Sequence, residues 1–454
     1  MEEKLEEAVA VTNKTRKLNK LILIVCVFGI TKSVSQTTQD ATKVYKKRVL
    51  ETTEVDFLTS YYSQDGDNAA VSGGIGTEEL TDVTGTFVVS IPLNDDDVLT
   101  IDAGVSAYTS ASSSNVGPFD DGPADPFQAS SGASTSDLWV NLTGSYSHTS
   151  NDRNNIWSAN ISISSEYDYF SAGIGASYSK LFNEKNTELS IHANIYIDTW
   201  NAIYPTELRP FGENGNGLNN RLFTQNTITG NTNYNPKFNE FQDEGRNSYL
   251  LGFGFSQILH KNIQSSLTLD LVQQQGLLST PFQRVYFGDV LNSFIDNFQL
   301  ADAIEHLPDS RFKVAVGGRL NWYINETFTL RTFYRYYFDD WGISSYTASI
   351  EVPIKITDKF TLYPSYRLYN QTTADYFSPY EKAISTDEFY TSDYDLSEYS
   401  ANQFGFGVSY TDIFTSSHIW KFGLKSIDLK FYQYDRDTSF TSNIITAGFK
   451  LIMD

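Results

Sequence analysis

The chain is poor in sulfur, short of positive charge, and has no apolar stretch long enough for a helix to cross a bilayer. One cysteine and two methionines occur in 454 residues, so no disulfide framework holds the fold. Lys and Arg number 33 against 55 Asp and Glu, a formal charge of −22. That balance argues against a nucleic-acid partner, whose phosphates call for stripes of Lys and Arg. No glycine-rich phosphate loop with its lysine is present. The apolar run LILIVCVFGI, Leu21–Ile30, falls well short of the roughly 20 residues a membrane-spanning helix needs, and nothing after it comes closer.

That run has another reading. Lys14, Arg16, Lys17 and Lys20 precede it and the small-residue pattern SVSQ follows, the three parts of a secretory leader with cleavage after Ser35. Residues 1–35 are therefore expected to be a Sec-type leader and 36–52 a periplasmic segment. The acidic opening MEEKLEEAVA is unusual for a leader and is compatible with a start codon placed too early. Removing the leader removes Cys26. Val25 before it is bulkier than the small residue that precedes a lipid-modified cysteine.

What the chain has in abundance is aromatic residues, 15% of the total, with 31 Phe and 29 Tyr. Such a composition favours strands. In FTLRTFYRYYFDDWG, alternate side chains point to opposite faces of a strand. Phe328, Leu330, Tyr334, Tyr336 and Phe338 share one face; Arg331, Phe333, Arg335, Tyr337 and Asp339 share the other. The same division recurs in LWVNLTGSY, TELSIHANIYIDT, RFKVAVGGRLNWYI and FTLYPSYRLYNQ, whose apolar faces are almost free of charge. Lipid explains that avoidance, since Lys or Arg on a lipid-facing barrel position costs roughly 2–4 kcal/mol at the bilayer midplane. A soluble sandwich would also alternate, with shorter and more evenly connected strands.

Strands are expected at 53–63, 80–91, 98–109, 136–147, 156–165, 168–181, 187–199, 247–257, 262–273, 311–324, 326–339, 343–355, 359–371, 402–411, 421–433 and 440–453. The long links, 64–79, 110–135, 200–246, 274–310 and 372–401, all follow odd-numbered strands, and tight turns follow even ones. Long loops thus share one rim, as in outer-membrane barrels. A sheet in lipid must close to satisfy its backbone. The expected fold is all-β: a closed antiparallel transmembrane barrel of about 16 strands (14–18) over 53–454, by the alternation and link-length pattern. Thr446, Gly448, Leu451 and Met453 resemble the C-terminal signal read by the barrel-insertion machinery, without its terminal aromatic and with Asp454 added.

LPDSRFKVAVGGRLNWYIN, LRTFYRYYFDDWGISSYTASIEVPIK, YPSYRLYNQTTADYFSPYEK and YYSQDGDNAAVSGGIGTEELTDVTG together resemble an uncharacterised family of Gram-negative, mainly Bacteroidetes, outer-membrane proteins. The resemblance implies location and fold and supplies no activity.

On the inward face, Arg311, Lys313, Arg319, Arg331, Arg335 and Arg367 form a candidate basic wall able to focus a small anionic solute. Alternatively these cations pair with Asp102, Asp198, Asp270, Glu351 and Asp428 and brace the barrel. Two acidic loops, Asp65 and Asp67 with Asn68, and Asp120, Asp121 and Asp125, present the hard oxygen ligands Ca²⁺ prefers but lack EF-hand spacing; solvated turns are the simpler account, and no other cofactor is implied. Ser190, His192 and Asp198 lie in a row along one strand and cannot converge as a triad. His148, His260, His306 and His418 fall at turns or loops without metal-ligand spacing, so no enzyme is read. Val285–Leu307 reads as a short helix able to cap the mouth. The expected function is a pore or partner-gated channel for small solutes in outer-membrane lipid. The alternative is a plugged barrel acting as a scaffold through acidic, tyrosine-rich loops, above all the loop holding Asp375, Glu381, Asp387 and Asp393, which folds inward toward the basic wall or grips a partner.

Overall fold

A computed structural model describes residues 47–109 and 136–453. The leader, Cys26 and the loop with Asp120, Asp121 and Asp125 lie outside these residues. The strands that the alternation marks out are β1 Glu54–Gly66, β2 Leu80–Pro92, β3 Asp97–Thr109, β4 Ser136–Thr149, β5 Asn155–Ser165, β6 Tyr169–Phe182, β7 Thr187–Trp200 and β8 Gly245–His260. They continue as β9 Ile263–Gly276, β10 Ser310–Tyr323, β11 Thr329–Asp339, β12 Ser344–Glu351, β13 Ser365–Gln371, β14 Tyr399–Thr411, β15 Phe422–Arg436 and β16 Phe440–Met453. The sheet counts 19 segments. Ile354–Lys355 and Phe360–Leu362 extend β12 and β13 beyond Pro353 and Pro364, and His418–Ile419 extends a turn. Proline has no N–H for the ladder, which is why both strands break there.

Each strand pairs antiparallel with its sequence neighbour, and β1 pairs with β16 from Glu54↔Ile452 to Gly66↔Phe440. The last strand thus supplies the partners that the first would otherwise lack. The result is a closed 16-strand barrel without a free edge.

Ile161, Ile163, Ile174, Leu267 and Phe404 project outward, each half or more exposed. Stacking continues across the closing seam, where the Phe57 ring lies 4.6 Å from Phe87 and 6.2 Å from Phe449. Outward positions are apolar because their neighbour is lipid, and inward neighbours are Ser, Thr, Asn and charged groups. Ile161, 68% exposed and facing outward, is therefore expected to be costly to charge. Ile161→Arg should destabilise the barrel by about 2–4 kcal/mol, and the inward Ser162→Arg by far less. Urea unfolding in lipid vesicles, followed by heat-modifiable gel mobility, measures the difference.

The long loops fold on one another. Leu208, Phe223, Tyr234 and Phe238 from 201–244 bury with Tyr286, Ile295, Phe298 and Leu300 from 277–309. Ala383 and Tyr390 pack on Val285 and Phe287, and Ala374 and Leu396 on Leu307, Trp341 and Ile343. The helix expected over Val285–Leu307 is not formed. Arg284–Val285 pairs with Ala303–Ile304, and Ser293–Ile295 pairs with both Phe298–Gln299 and Ile228–Gly230. Three consecutive residues, Val285, Tyr286 and Phe287, are all buried, a pattern that suits extended chain packed on both sides and not a one-faced helix. Turns at Gly288 and at Asp296, whose φ is 52°, divide the segment. These loops make a cap on the long-loop rim.

Candidate functional site

The cap is organised around Arg284, a residue that the sequence reading passed over. Its Nε and Nη2 donate to the Glu207 carboxylate at 2.7 and 3.1 Å, and Nη1 donates to the Val71 carbonyl at 2.6 Å. Its own carbonyl accepts from the Ser392 hydroxyl at 2.8 Å. Four loops therefore meet at one fully buried ion pair. Gly73 must approach this centre closely. Its φ is 74°, and a Cβ there would meet the Tyr286 ring at 2.5 Å. A sequence signal existed: Arg284 stands within PFQRVYF, and an arginine amid such neighbours is buried only when paired.

Other cap carboxyls are held in unusual states. Burial pushes Glu305 up to about 7, against hydrogen bonds from the Thr391 hydroxyl and the Thr280 N–H, and pushes Asp302 up to about 6. Glu78 is likewise pushed up to about 7, chiefly by burial. A carboxyl raised on folding keeps its proton better in the folded cap. Its stabilising contribution is complete below its ordinary pKa, 4.5 for glutamate, and is lost as pH climbs through about 7. Protease cleavage within 277–309 should accordingly rise from about pH 5 to pH 8, and Glu305→Gln should flatten part of that rise.

Beneath the cap the inner wall is divided by charge. Of the predicted basic residues, Arg311 is tied at the top of β10 to Asp339, at 2.9 and 2.5 Å, and lies 4.3 Å from the Trp341 ring. Lys313 follows two positions along the same strand. Arg331 pairs with Glu351 at 2.8 Å and faces the Tyr363 ring at 5.9 Å, with Lys430 over that ring at 5.4 Å. Arg319 lies 5.2 Å from the Phe333 ring. Arg335 and Arg367 are exposed to the lumen and, like Arg319, have no ion pair among the described residues. Bracing thus accounts for Arg311 and Arg331; Lys313, partly buried, has no ion pair among the described residues, and Arg319, Arg335 and Arg367 face water.

The opposite half differs. From β2 to β7 the inward face bears no Lys or Arg. Asp82 accepts from Ser106 at 2.5 Å, and Asp102 from Asn141 at 3.4 Å. His192 approaches Asp270 at 3.7 Å across Gly252, where a Cβ would lie 2.1 Å from the imidazole. Asp198, expected to brace the basic wall, instead pairs with Arg246 at 3.4 Å, and Asp428 accepts from Ser426 at 3.4 Å. Asp395, in the acidic tyrosine-rich loop, pairs with Arg436 at 2.5 Å, so that loop folds inward but does not reach the arginines named from sequence. Asp65 and Asp67 are not gathered into a ligand set, and no cluster of three or more acidic, His or Cys ligands occurs among the described residues.

The cap leaves an opening. A cavity of about 820 Å³ lies between it and the upper wall, bordered by Tyr62, Glu78, Tyr169, Trp200, Arg246 and Arg436.

Residues 22–439 match the model of DUF3570, a protein family of unknown function. The chain belongs to that family. No curated protein matches this DUF3570 chain. Among solved structures it is similar to a bacterial polysaccharide outer-membrane secretin, at 10% identity and a TM-score of 0.44, over 89% of this chain and 98% of that one. A mutant of the TodX monoaromatic hydrocarbon channel is similar at 9% identity and 0.39, over 89% and 91%. OpdK of Pseudomonas aeruginosa, solved with vanillate, is similar at 8% and 0.37, over 88% and 98%.

Proposed function

We propose that this DUF3570 protein is an aqueous channel of the Gram-negative outer membrane, exported through the leader at 1–35 and gated by its cap. Its setting in the Bacteroidetes is implied by the family resemblance alone. Solvation of the lumen carries the proposal: Arg319, Arg335 and Arg367 stay exposed inside a closed wall, where a packed plug would have to pair or bury them. A 16-strand barrel is of the size that encloses an aqueous lumen. Small anionic solutes are drawn to the three free guanidiniums, which have low-dielectric walls behind them, while Arg311 and Arg331 hold the barrel's shape.

The cap gives this channel a gate, since it covers part of the mouth and is held by polar centres that solution conditions can alter. Purified protein in a planar bilayer should pass steady ohmic current in discrete steps. Silence from correctly folded, heat-modifiable protein would overturn the channel reading in favour of a scaffold.

A further inference from the structure

The mouth cavity differs from the wall below it. Rings of Tyr62, Tyr108, Tyr169, Trp200, Phe282 and Phe440 border it, and so do the carboxylates of Glu78, Asp137, Glu166, Asp168, Asp393 and Asp395. Among the described residues only two cations share the lining, and both are engaged. Arg436 is paired with Asp395 at 2.5 Å. Arg246 reaches Asp198 at 3.4 Å and the Tyr169 hydroxyl at 3.2 Å. Glu78, Asp137, Glu166, Asp168 and Asp393 have no ion pair among the described residues.

Two buried oxygens here lack partners. Asp198, 5% exposed and standing behind Arg246, has an Oδ1 without a hydrogen bond, and so does the hydroxyl of Thr438 on the cavity lining. Buried polar atoms are ordinarily satisfied; Thr438 belongs to the lining, whereas Asp198 does not and stands behind Arg246. The acids also crowd one another. Burial, with the Asp168 charge second, pushes the Glu166 carboxyl up.

We propose that this cavity is a binding site for organic cations, namely solutes carrying an ammonium group on an apolar or aromatic body. Aromatic faces attract a desolvated cation through their quadrupoles, and the carboxylates of Asp137 and Asp168, which have no ion pair among the described residues, supply negative charge beside them, while burial holds Glu78, Glu166 and Asp393 toward the neutral acid until a cation meets them. Trp200 is oriented for this by its indole N–H, which donates to Asp168 at 3.1 Å, so ring and carboxylate are fixed together. A hard divalent ion fits less well, because calcium needs about six to eight oxygen ligands and the described residues gather no such set. The proposal goes beyond the channel reading and holds whether or not the lumen conducts.

Calorimetric titration of the purified full chain in detergent tests it, with phenethylammonium, phenylethanol and phenylacetate as probes of one shape and three charges. The amine should bind saturably, the alcohol about tenfold more weakly or worse, and the acid not at all. Asp168→Asn and Trp200→Leu should each weaken the amine several-fold, whereas Asp102→Asn in the wall below should not. Glu78→Gln is a further arm, read only if its barrel remains heat-modifiable; Asp168→Asn stands without it. Equal affinity for amine and alcohol, preference for the acid, or calcium binding without amine binding would each overturn the assignment. Planar-bilayer current is measured separately, so loss of conduction and loss of this site are told apart.

Discussion

Arg284→Met is expected to open the cap while leaving the barrel wall intact. The substitution strands the Glu207 carboxylate, itself 0% exposed, without its bidentate partner, and breaking one side of a buried pair costs about 3–5 kcal/mol. That is large for a unit made of loops, whose remaining support is the cluster around Leu208, Phe298 and Ile304. The wall should survive, because its strands are joined by a continuous ladder that does not involve Arg284. Limited proteolysis should move from slow to rapid within 201–244 and 277–309, with unchanged heat-modifiable mobility and a larger, noisier channel current. Arg284→Met combined with Glu207→Met should recover much of the resistance, since replacing both partners removes the orphaned charge. Equal protease resistance in the single variant and the parent would show that the cap does not depend on this centre.

Arg335→Glu together with Arg367→Glu is expected to turn the channel from anion toward cation preference. Both side chains face the lumen unpaired, on neighbouring parts of the wall, so the exchange replaces two free positive charges by two negative ones without breaking an existing ion pair. Focused fields of this kind change local ion concentration by about tenfold or more. Reversal potential under a salt gradient should change sign. Arg311→Gln is the contrasting case: its charge is spent on Asp339, so it should alter thermal stability with little effect on selectivity. An unchanged reversal potential in the double variant would remove the basic half from the conduction path.

The wall was legible in the sequence because lipid imposes a strict rule on alternate residues. Leu138, Val140 and Leu142 could be assigned to the outside without knowledge of any partner strand, and the expected start and end of β4 fell within two residues of those found. Proline positions were less readable. Pro353 and Pro364 interrupt two strands that alternation alone ran through. The cap was hidden for a different reason: its energetics lie in contacts between loops far apart in sequence, such as Glu207 with Arg284 and Val71 with Arg284, which no local period announces. Val285–Leu307 was misread because burial on both sides of an extended segment imitates an irregular helical spacing. The inner wall falls between these cases. Parity gave the direction of Arg319, Arg335 and Arg367, but only cross-strand neighbours distinguish them from Arg311 and Arg331, and the cations Lys430, Arg246 and Arg436 were missed because their own strands carry less conspicuous patterns.

In a barrel of this kind lipid touches one parity of every strand and water the other. Cys26, the only cysteine in the sequence, lies in the proposed leader, so the exported barrel is a cysteine-free background in which single cysteines can be placed along β5 and β14 and exposed, in sealed proteoliposomes, to a charged, water-soluble thiol reagent. Ser162→Cys and Gln403→Cys should be labelled rapidly, and Ile163→Cys and Phe404→Cys should stay protected. Equal labelling of both sets, or protection of the inward pair with labelling of the outward one, would contradict the account.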